Sequence, residues 1–312
     1  MSDSMQLVFC GTPQFAVPTL QALIDNQFQI GLVVTQPDRP QGRGLQLSAS
    51  PVKQRALNLG LPLTQPDKIK NNQEFRDRLA GLAPDAIIVV GYGRIIPQWM
   101  IDLPRLGNIN LHGSLLPKYR GAAPVQWAIA SGEIITGVTT MRIDAGLDTG
   151  DILLQREMNI QPEDTSETLA PRLATIGAEL MVETLRGLRA GNVSPVPQDH
   201  SKASLAPILR KEDGLIDFHL PAKQIQDRLR GFQPWPGAFT KFRDRTFNVW
   251  RAIVTQQSIP EGQLAVDNRL LVGCGNNTAL ELLEVQPEGK KRMPAADFVR
   301  GYRPKPGERL GS

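Results

Sequence analysis

Asn110 and His112 stand two positions apart in Gly107-Asn108-Ile109-Asn110-Leu111-His112-Gly113-Ser114-Leu115-Leu116-Pro117. In an extended strand successive side chains alternate, so Ile109 and Leu111 face one side while Asn110 and His112 share the other. The apolar side can pack; the opposite side presents an amide beside an imidazole. An amide donates hydrogen bonds without titrating, and can steady an oxygen that gains negative charge. An imidazole, with a reference pKa of about 6.5, moves protons near neutrality. Together they suit attack on a carbonyl with no covalent enzyme intermediate. Gly113 stops the strand and Pro117 stiffens the loop that follows. The same tripeptide also reads as a strand end with two hydrogen-bonded polar residues, and by itself does not choose between the two.

Ligands of open α/β sheets bind beyond the carboxyl ends of the strands, so the surrounding elements matter. Gln6 to Cys10 is an apolar strand closed by Gly11-Thr12-Pro13, followed by a helix from Phe15 to Asn26 and a strand from Gln29 to Thr35, which opens a βαβ unit. The first turn lacks G-x-G-x-x-G. Gly91-Tyr92-Gly93-Arg94-Ile95-Ile96 comes nearer, but Ile96 occupies the last glycine position, so a dinucleotide is not indicated. Residues 36–44 form a Gly/Pro-rich loop carrying Arg39 and Arg43, either a phosphate contact or a solvated loop. Helices are expected over 51–59 and 74–79. Asp85 to Val90 is a continuous apolar run, as in a buried parallel strand. A helix over 123–130 and strands over 135–143 and 152–154 follow. Between those strands the glycine-containing loop holds Asp144, Asp148 and Asp151. Its spacing is not that of a calcium loop. One of the three carboxylates can pair with His112, or all can be turn formers. Asp164 to Glu167 offers caps for a helix through about Leu188, whose stripe Leu169, Leu173, Ile176, Leu180, Met181 and Leu185 docks on the sheet.

Residues 191–206 are Ser/Pro-rich and aperiodic and read as a linker. Beyond it short strands recur (216–219, 238–242, 246–254, 270–272, 279–285) with a helix over 222–230, the pattern of a small β-barrel or sandwich. The expected architecture is α/β: a doubly wound, Rossmann-like, mostly parallel sheet over 1–190 and a smaller OB-like barrel over 207–312.

At 312 residues, 41% hydrophobic and 21% charged, the chain has ordinary globular composition. Its start lacks the basic and apolar regions of a signal peptide, and no run reaches the length of a membrane helix. Cys10 and Cys274 lie far apart in strand-like segments and read as buried thiols in a reducing cytoplasm. With three histidines and no Cys pair at ligand spacing, a zinc site is not expected. From Pro207 onward 17 Lys and Arg face 12 Asp and Glu, about +5, which leaves 18 against 19 elsewhere, about −1. Lys241, Arg243 and Arg245 alternate as if on one strand face, and Lys290-Lys291-Arg292 adds a second cluster. The basic surplus points to a polyanion, nucleic acid above all.

The chain resembles the methionyl-tRNA formyltransferases, within the folate-dependent formyltransferase family, from end to end. The resemblance is carried by Phe9-Cys10-Gly11-Thr12-Pro13, Gln36-Pro37-Asp38-Arg39-Pro40 with Gly42-Arg43-Gly44, Asn110 to Pro117, Arg120-Gly121-Ala122-Ala123-Pro124, Asp144 to Asp151, Phe232-Gln233-Pro234-Trp235-Pro236 and Gly289-Lys290-Lys291. It implies transfer of a formyl group from 10-formyltetrahydrofolate to the α-amine of methionine on initiator tRNA, without a metal, by a cytoplasmic monomer with no membrane partner. It assigns Asn110, His112 and Asp148 as the catalytic trio. Formyl-folate would contact Gly91, Tyr92, Gly93, Arg94, Ile95, Ser114, Leu115, Leu116, Pro117 and Asp144; tRNA would contact Arg39, Arg43, Lys241, Arg243, Lys290 and Lys291. One departure is the loop after Gly-Arg-Gly, often lysine-rich in the family but Leu45-Gln46-Leu47 here, so fewer counterions would be released there. The catalytic motifs are shared with formyltransferases acting on small amines such as amino sugar nucleotides, and a folate- or RNA-binding module without catalysis is the contrasting reading.

Overall fold

The computed structural model describes residues 5–41 and 46–311. Contacts group them into two units, one of residues up to Pro124 with Ile135–Asn159 and Ala170–Pro207, the other of Val125–Ile134, Ile160–Leu169 and residues from Ile208.

Along the first part of the chain run β1 (Gln6–Gly11), α1 (Val17–Asp25), β2 (Gln29–Val34), β3 (Arg39–Gln41), β4 (Gln46–Ser48), α2 (Pro51–Asn58), β5 (Leu63–Thr64), α3 (Gln73–Leu82) and β6 (Ala86–Val90). Then come α4 (Gln98–Ile101), β7 (Asn108–His112), α5 (Pro124–Ala130), β8 (Ile135–Arg142), β9 (Ile152–Asn159) and α6 (Ser166–Ala190). Local chemistry explains the helix starts. Ser50 accepts from the Lys53 N–H at 3.1 Å and Pro51 opens α2, while Asn72 caps α3 through the Phe75 N–H at 3.0 Å. The sheet order is β5-β2-β1-β6-β7-β8-β9. β5 through β7 pair in parallel; β8 and β9 run antiparallel at the edge. All of β6 is buried, as its unbroken apolar run requires. The chain goes one way from β1 to β2 and the other way to β6 and β7, so the carboxyl ends of β1 and β6 flank the switch point where such sheets open a crevice. α6 lies on the sheet through Leu173, Leu180, Met181 and Leu185, with Thr184 Oγ1 2.8 Å from Thr140 Oγ1 of β8; Ile176 is only half-buried.

Three expectations change here. Residues 36–44 are not wholly irregular: β3 and β4 form an antiparallel pair with Arg39 opposite Ser48. Residues 191–206 are no free linker. Ile152 and Val196 exchange hydrogen bonds at 2.9 and 2.8 Å, and Arg120 and Leu205 form a bridge, because the segment's backbone finds partners on the first unit. Nor does the division fall cleanly at 190. Trp127 meets Phe232 edge-on at 5.2 Å, and Arg230 donates to the Asp164 carbonyl at 2.6 Å, which groups 125–134 and 160–169 with the second unit.

The second unit adds α7 (Ala222–Gly231), β10 (Ala238–Phe242), β11 (Arg245–Thr255), β12 (Leu264–Val266), β13 (Leu270–Cys274), β14 (Thr278–Pro287), β15 (Met293–Pro294) and α8 (Ala295–Tyr302). Its antiparallel sheet runs β10-β11-β14-β13-β12, with β15 on β14. Among the described residues β10 and β12 do not pair, so the barrel is open. Phe298 of α8 is fully buried against Phe242 and Phe247, with ring centroids 5.2 and 4.8 Å away. The strand expected over 216–219 is a turn instead, because Asp217 takes the His219 N–H at 3.0 Å. Lys241, Arg243 and Arg245 do not share one strand. Arg243 and Asp244 have φ of 50° and 62°, the left-handed pair of a tight hairpin, and Phe242 pairs with Arg245.

Candidate active site

His112 ends β7 and is buried. Its Nε2 lies 2.8 Å from the carbonyl oxygen of Tyr119. A carbonyl only accepts, so Nε2 carries the hydrogen and donates it. That leaves Nδ1 as the nitrogen free for chemistry, 3.7 Å from Asp148 Oδ2. Asp148 stands in the β8–β9 loop with φ of 51° and accepts the Gly121 N–H on Oδ2 at 2.8 Å. Tyr119 and Gly121 therefore fix the imidazole and the carboxylate from one short stretch of backbone. Gly121 has φ of 122°, and a Cβ there would come within 2.6 Å of the Ala206 carbonyl oxygen, so only glycine fits. The ring is oriented by Tyr119 rather than by Asp148. Tyr119 was invisible in the sequence because a backbone carbonyl does this work, and its side chain carries no signal.

Asn110 has the same strand parity as His112, is half-buried, and finds no side-chain hydrogen bond among the described residues. Asn108 also shares that parity, yet its amide donates to the Met100 and Ile101 carbonyls at 2.8 and 3.0 Å. One amide of the strand closes α4, and the other has no such partner among the described residues. Of the three loop aspartates, Asp144 accepts from the Gly146 N–H at 3.0 Å and from Thr149 Oγ1 at 2.7 Å, the work of a turn former. Only Asp148 faces His112.

Gly91 to Ile95 leave β6 beside the end of β7, since the two strands are parallel neighbours. Tyr92 turns its ring into the core, where burial pushes the phenol well above its ordinary pKa, and its carbonyl accepts from Gln36 Nε2 at 2.7 Å. Gly93 has φ of 73°, and a Cβ would lie 2.6 Å from that same Gln36 amide. Arg94 donates to the Asp67 carbonyl at 2.7 Å, and Ile95 is 92% exposed. Ser114 is fully buried, its hydroxyl donating to the Lys118 carbonyl at 2.6 Å. Leu115 and Pro117 are half-buried; Leu116 is buried, its N–H donating to Thr139 Oγ1 at 3.1 Å. Cys10, near the end of β1, is no nucleophile: burial raises its thiol far above the ordinary range.

Two family models cover most of the chain: "Formyl transferase" over residues 5–185 and "Formyl transferase, C-terminal domain" over 208–303. A methionyl-tRNA formyltransferase of Koribacter versatilis is 66% identical over 98% of this chain and 99% of its own length. One of Acidobacterium capsulatum is 59% identical over 99% and 100%. The chain belongs to the methionyl-tRNA formyltransferase family. A solved N-formyltransferase from Helicobacter canadensis, in complex with folinic acid and dTDP-3-aminofucose, shares the fold at 17% identity, with a TM-score of 0.67 over 91% of this chain and 99% of that one.

In this member of the methionyl-tRNA formyltransferase family the basic residues fall into two kinds. Lys241, Lys290 and Lys291 are exposed and without side-chain partners among the described residues. Arg243 is engaged within its own unit. It pairs with Glu308 at 2.6 Å and donates to the Tyr302 carbonyl at 3.2 Å, and Glu308 raises its pKa further. Arg292, set by the sequence beside Lys291, lies over the Trp250 ring at 3.2 Å. In the first unit Arg39 donates to Gln36 Oε1 at 3.1 Å. Beside it Asp38 is held below the usual carboxylate range by hydrogen bonds from Lys53 and Gln65. Arg43 lies outside the described residues. No helix among them is long and apolar enough to cross a membrane, and no three His, Cys, Asp or Glu side chains gather as a metal-ligand group.

Proposed function

We propose that the chain transfers the formyl group of 10-formyltetrahydrofolate to the α-amine of methionyl initiator tRNA, as a cytoplasmic monomer, with Asn110, His112 and Asp148 at the reacting centre. The observation that carries this reading is His112 Nδ1 facing Asp148 with the Asn110 side chain unpartnered among the described residues on the same strand face, in a chain 66% identical to a methionyl-tRNA formyltransferase of Koribacter versatilis.

In the reaction a bond forms between the amine nitrogen and the formyl carbon, and the bond from that carbon to the folate N10 breaks. Asn110 donates a hydrogen bond to the carbonyl oxygen as it gains charge. His112 keeps its Nε2–H on Tyr119 and uses Nδ1 to move the amine proton to N10, directly or through a water. While the imidazole is charged, the Asp148 carboxylate lies beside it, and the Gly121 N–H keeps that carboxylate in place. The donor rests against the backbone of 91–95 and 114–117 and the loop beginning at Asp144. The tRNA phosphates meet Arg39, Arg43, Lys241, Lys290 and Lys291. Arg243 takes a smaller share because Glu308 already neutralises it.

The test is formyl transfer to charged initiator tRNA, beside uncharged tRNA, a charged elongator methionine tRNA and an amino sugar nucleotide. Transfer to the charged initiator alone is expected. Transfer only to the sugar nucleotide would keep the trio and overturn the acceptor; no transfer despite bound folate would mark a binding module.

A further inference from the structure

Gln198 lies between the two stretches that the family models cover, in the segment that reads as a linker. It is nonetheless buried. Its Oε1 accepts from Arg120 Nη2 and Nε at 2.7 and 3.1 Å, and its Nε2 donates to the Asp148 and Gly150 carbonyls at 2.9 and 2.7 Å. A guanidinium only donates and a carbonyl only accepts, so the amide's orientation is dictated by its partners. The two carbonyls flank Thr149 and belong to a loop that holds Asp148 at a positive φ, a conformation that is strained for a non-glycine residue and persists only when its surroundings fix it.

The same segment grips the other side of the site. The Arg120 N–H donates to the Ser204 carbonyl at 2.8 Å, the Ala206 N–H to the Arg120 carbonyl at 2.7 Å, and the Tyr119 N–H to Ser204 Oγ at 2.9 Å. Residues 196–206 are thus tied both to the stretch that orients His112 and to the loop that carries Asp148. Arg120, a buried cation, spends its guanidinium on neutral acceptors, Gln198 and His200 Nδ1 at 3.1 Å.

From this geometry we infer that Gln198 is a positioning residue for formyl transfer: it pins the backbone on either side of Thr149 and so sets the Asp148 carboxylate beside His112 Nδ1. The inference rests on the proposed roles of Asp148 and His112. Gln198→Met keeps the length and packing of the side chain and removes its hydrogen bonds. Gln198→Glu keeps the Arg120 contact and turns a carboxylate oxygen toward the two carbonyls. Folding of each is checked by circular dichroism and thermal melting.

Both variants are expected to lose about tenfold or more in kcat, the scale set by sub-ångström misplacement of a reacting group, with KM for formyl-folate within about twofold. The pH–rate profile should shift as well. In an Asp148→Asn background the Gln198→Met change should cost little more, because both act on one carboxylate. A folded Gln198→Met enzyme with normal kcat and pH profile would overturn the inference, and so would losses that simply multiply in the double variant. Should Asp148→Asn alone keep the normal rate, the catalytic reading itself fails, a result distinct from failure of the positioning role.

Discussion

In the first unit His112 and Asp148 are each held by a backbone group of a neighbouring stretch, the Tyr119 carbonyl at 2.8 Å and the Gly121 N–H at 2.8 Å. In the second unit Lys241, Lys290 and Lys291 are exposed and make no side-chain hydrogen bond or ion pair among the described residues. The contrast fits the two tasks proposed for these residues. Moving a proton between two nitrogens needs atoms fixed to a fraction of an ångström. Neutralising phosphates needs charge near a surface, and a mobile ammonium supplies it without a fixed partner. Arg243 shows the two regimes inside one unit: once tied to Glu308 and the carbonyls of α8's end, it behaves as part of the scaffold.

Substitutions can break that contrast, and the largest effects belong to the fixed site. His112→Ala is expected to lower single-turnover formyl transfer about 10³-fold while formyl-folate binding, followed by fluorescence, changes less than threefold. A rate within tenfold of wild type would remove His112 from the chemistry. Asn110→Ala should cost about 10²-fold in kcat, as loss of one oxyanion donor does; a change confined to KM would make it a binding residue instead.

The mobile face should respond in affinity and not in rate. Replacing Lys290 and Lys291 together with alanine should weaken tRNA binding several-fold and flatten its log–log salt dependence by up to about two. Turnover at saturating tRNA should hold. An unchanged salt slope would show that neither lysine meets a phosphate.

The smallest effect belongs to the Arg243–Glu308 pair. Arg243 holds the Glu308 carboxyl below its ordinary range, so the pair's stabilisation is present above that range and is lost as pH falls through the lowered value. Exposed pairs are screened, so Glu308→Gln should cost at most about 1 kcal/mol near neutrality, and its melting temperature should converge on that of wild type in acid. A constant gap between the two across pH would place the effect elsewhere.

Much of the fold was legible because it rests on side-chain pattern. The apolar run of β6, the alternation of β7 and the stripe of α6 each follow from side-chain pattern, whereas the switch point needs the strand order, which that pattern does not give. In the site, parity put Asn110 and His112 on one strand face, as the structure has them, while their proposed role came from the resemblance. Residue pattern left the choice among three aspartates open and only the resemblance named Asp148, because loop conformation decides which carboxylate faces His112: Asp144 folds back on Gly146 and Thr149. Tyr119, Gly121 and Gln198 stayed hidden for a related reason. They act through or upon the backbone, and residues 191–206 have no period to mark them as anything but a linker. The hairpin at Arg243 and Asp244 was missed because charge alternation mimicked a continuous strand where two positive φ angles turn the chain.

The proposed proton path rests on a backbone-fixed imidazole that presents Nδ1 to the reaction. Nitrogen-15 NMR of the histidine rings tests it directly, since the chain has only three histidines and His112→Gln assigns the signal. At a pH where the ring is neutral, the hydrogen is expected on Nε2 with Nδ1 bare, as the Tyr119 carbonyl requires. A hydrogen on Nδ1 with Nε2 bare would contradict the Tyr119 contact and the proton path built on it.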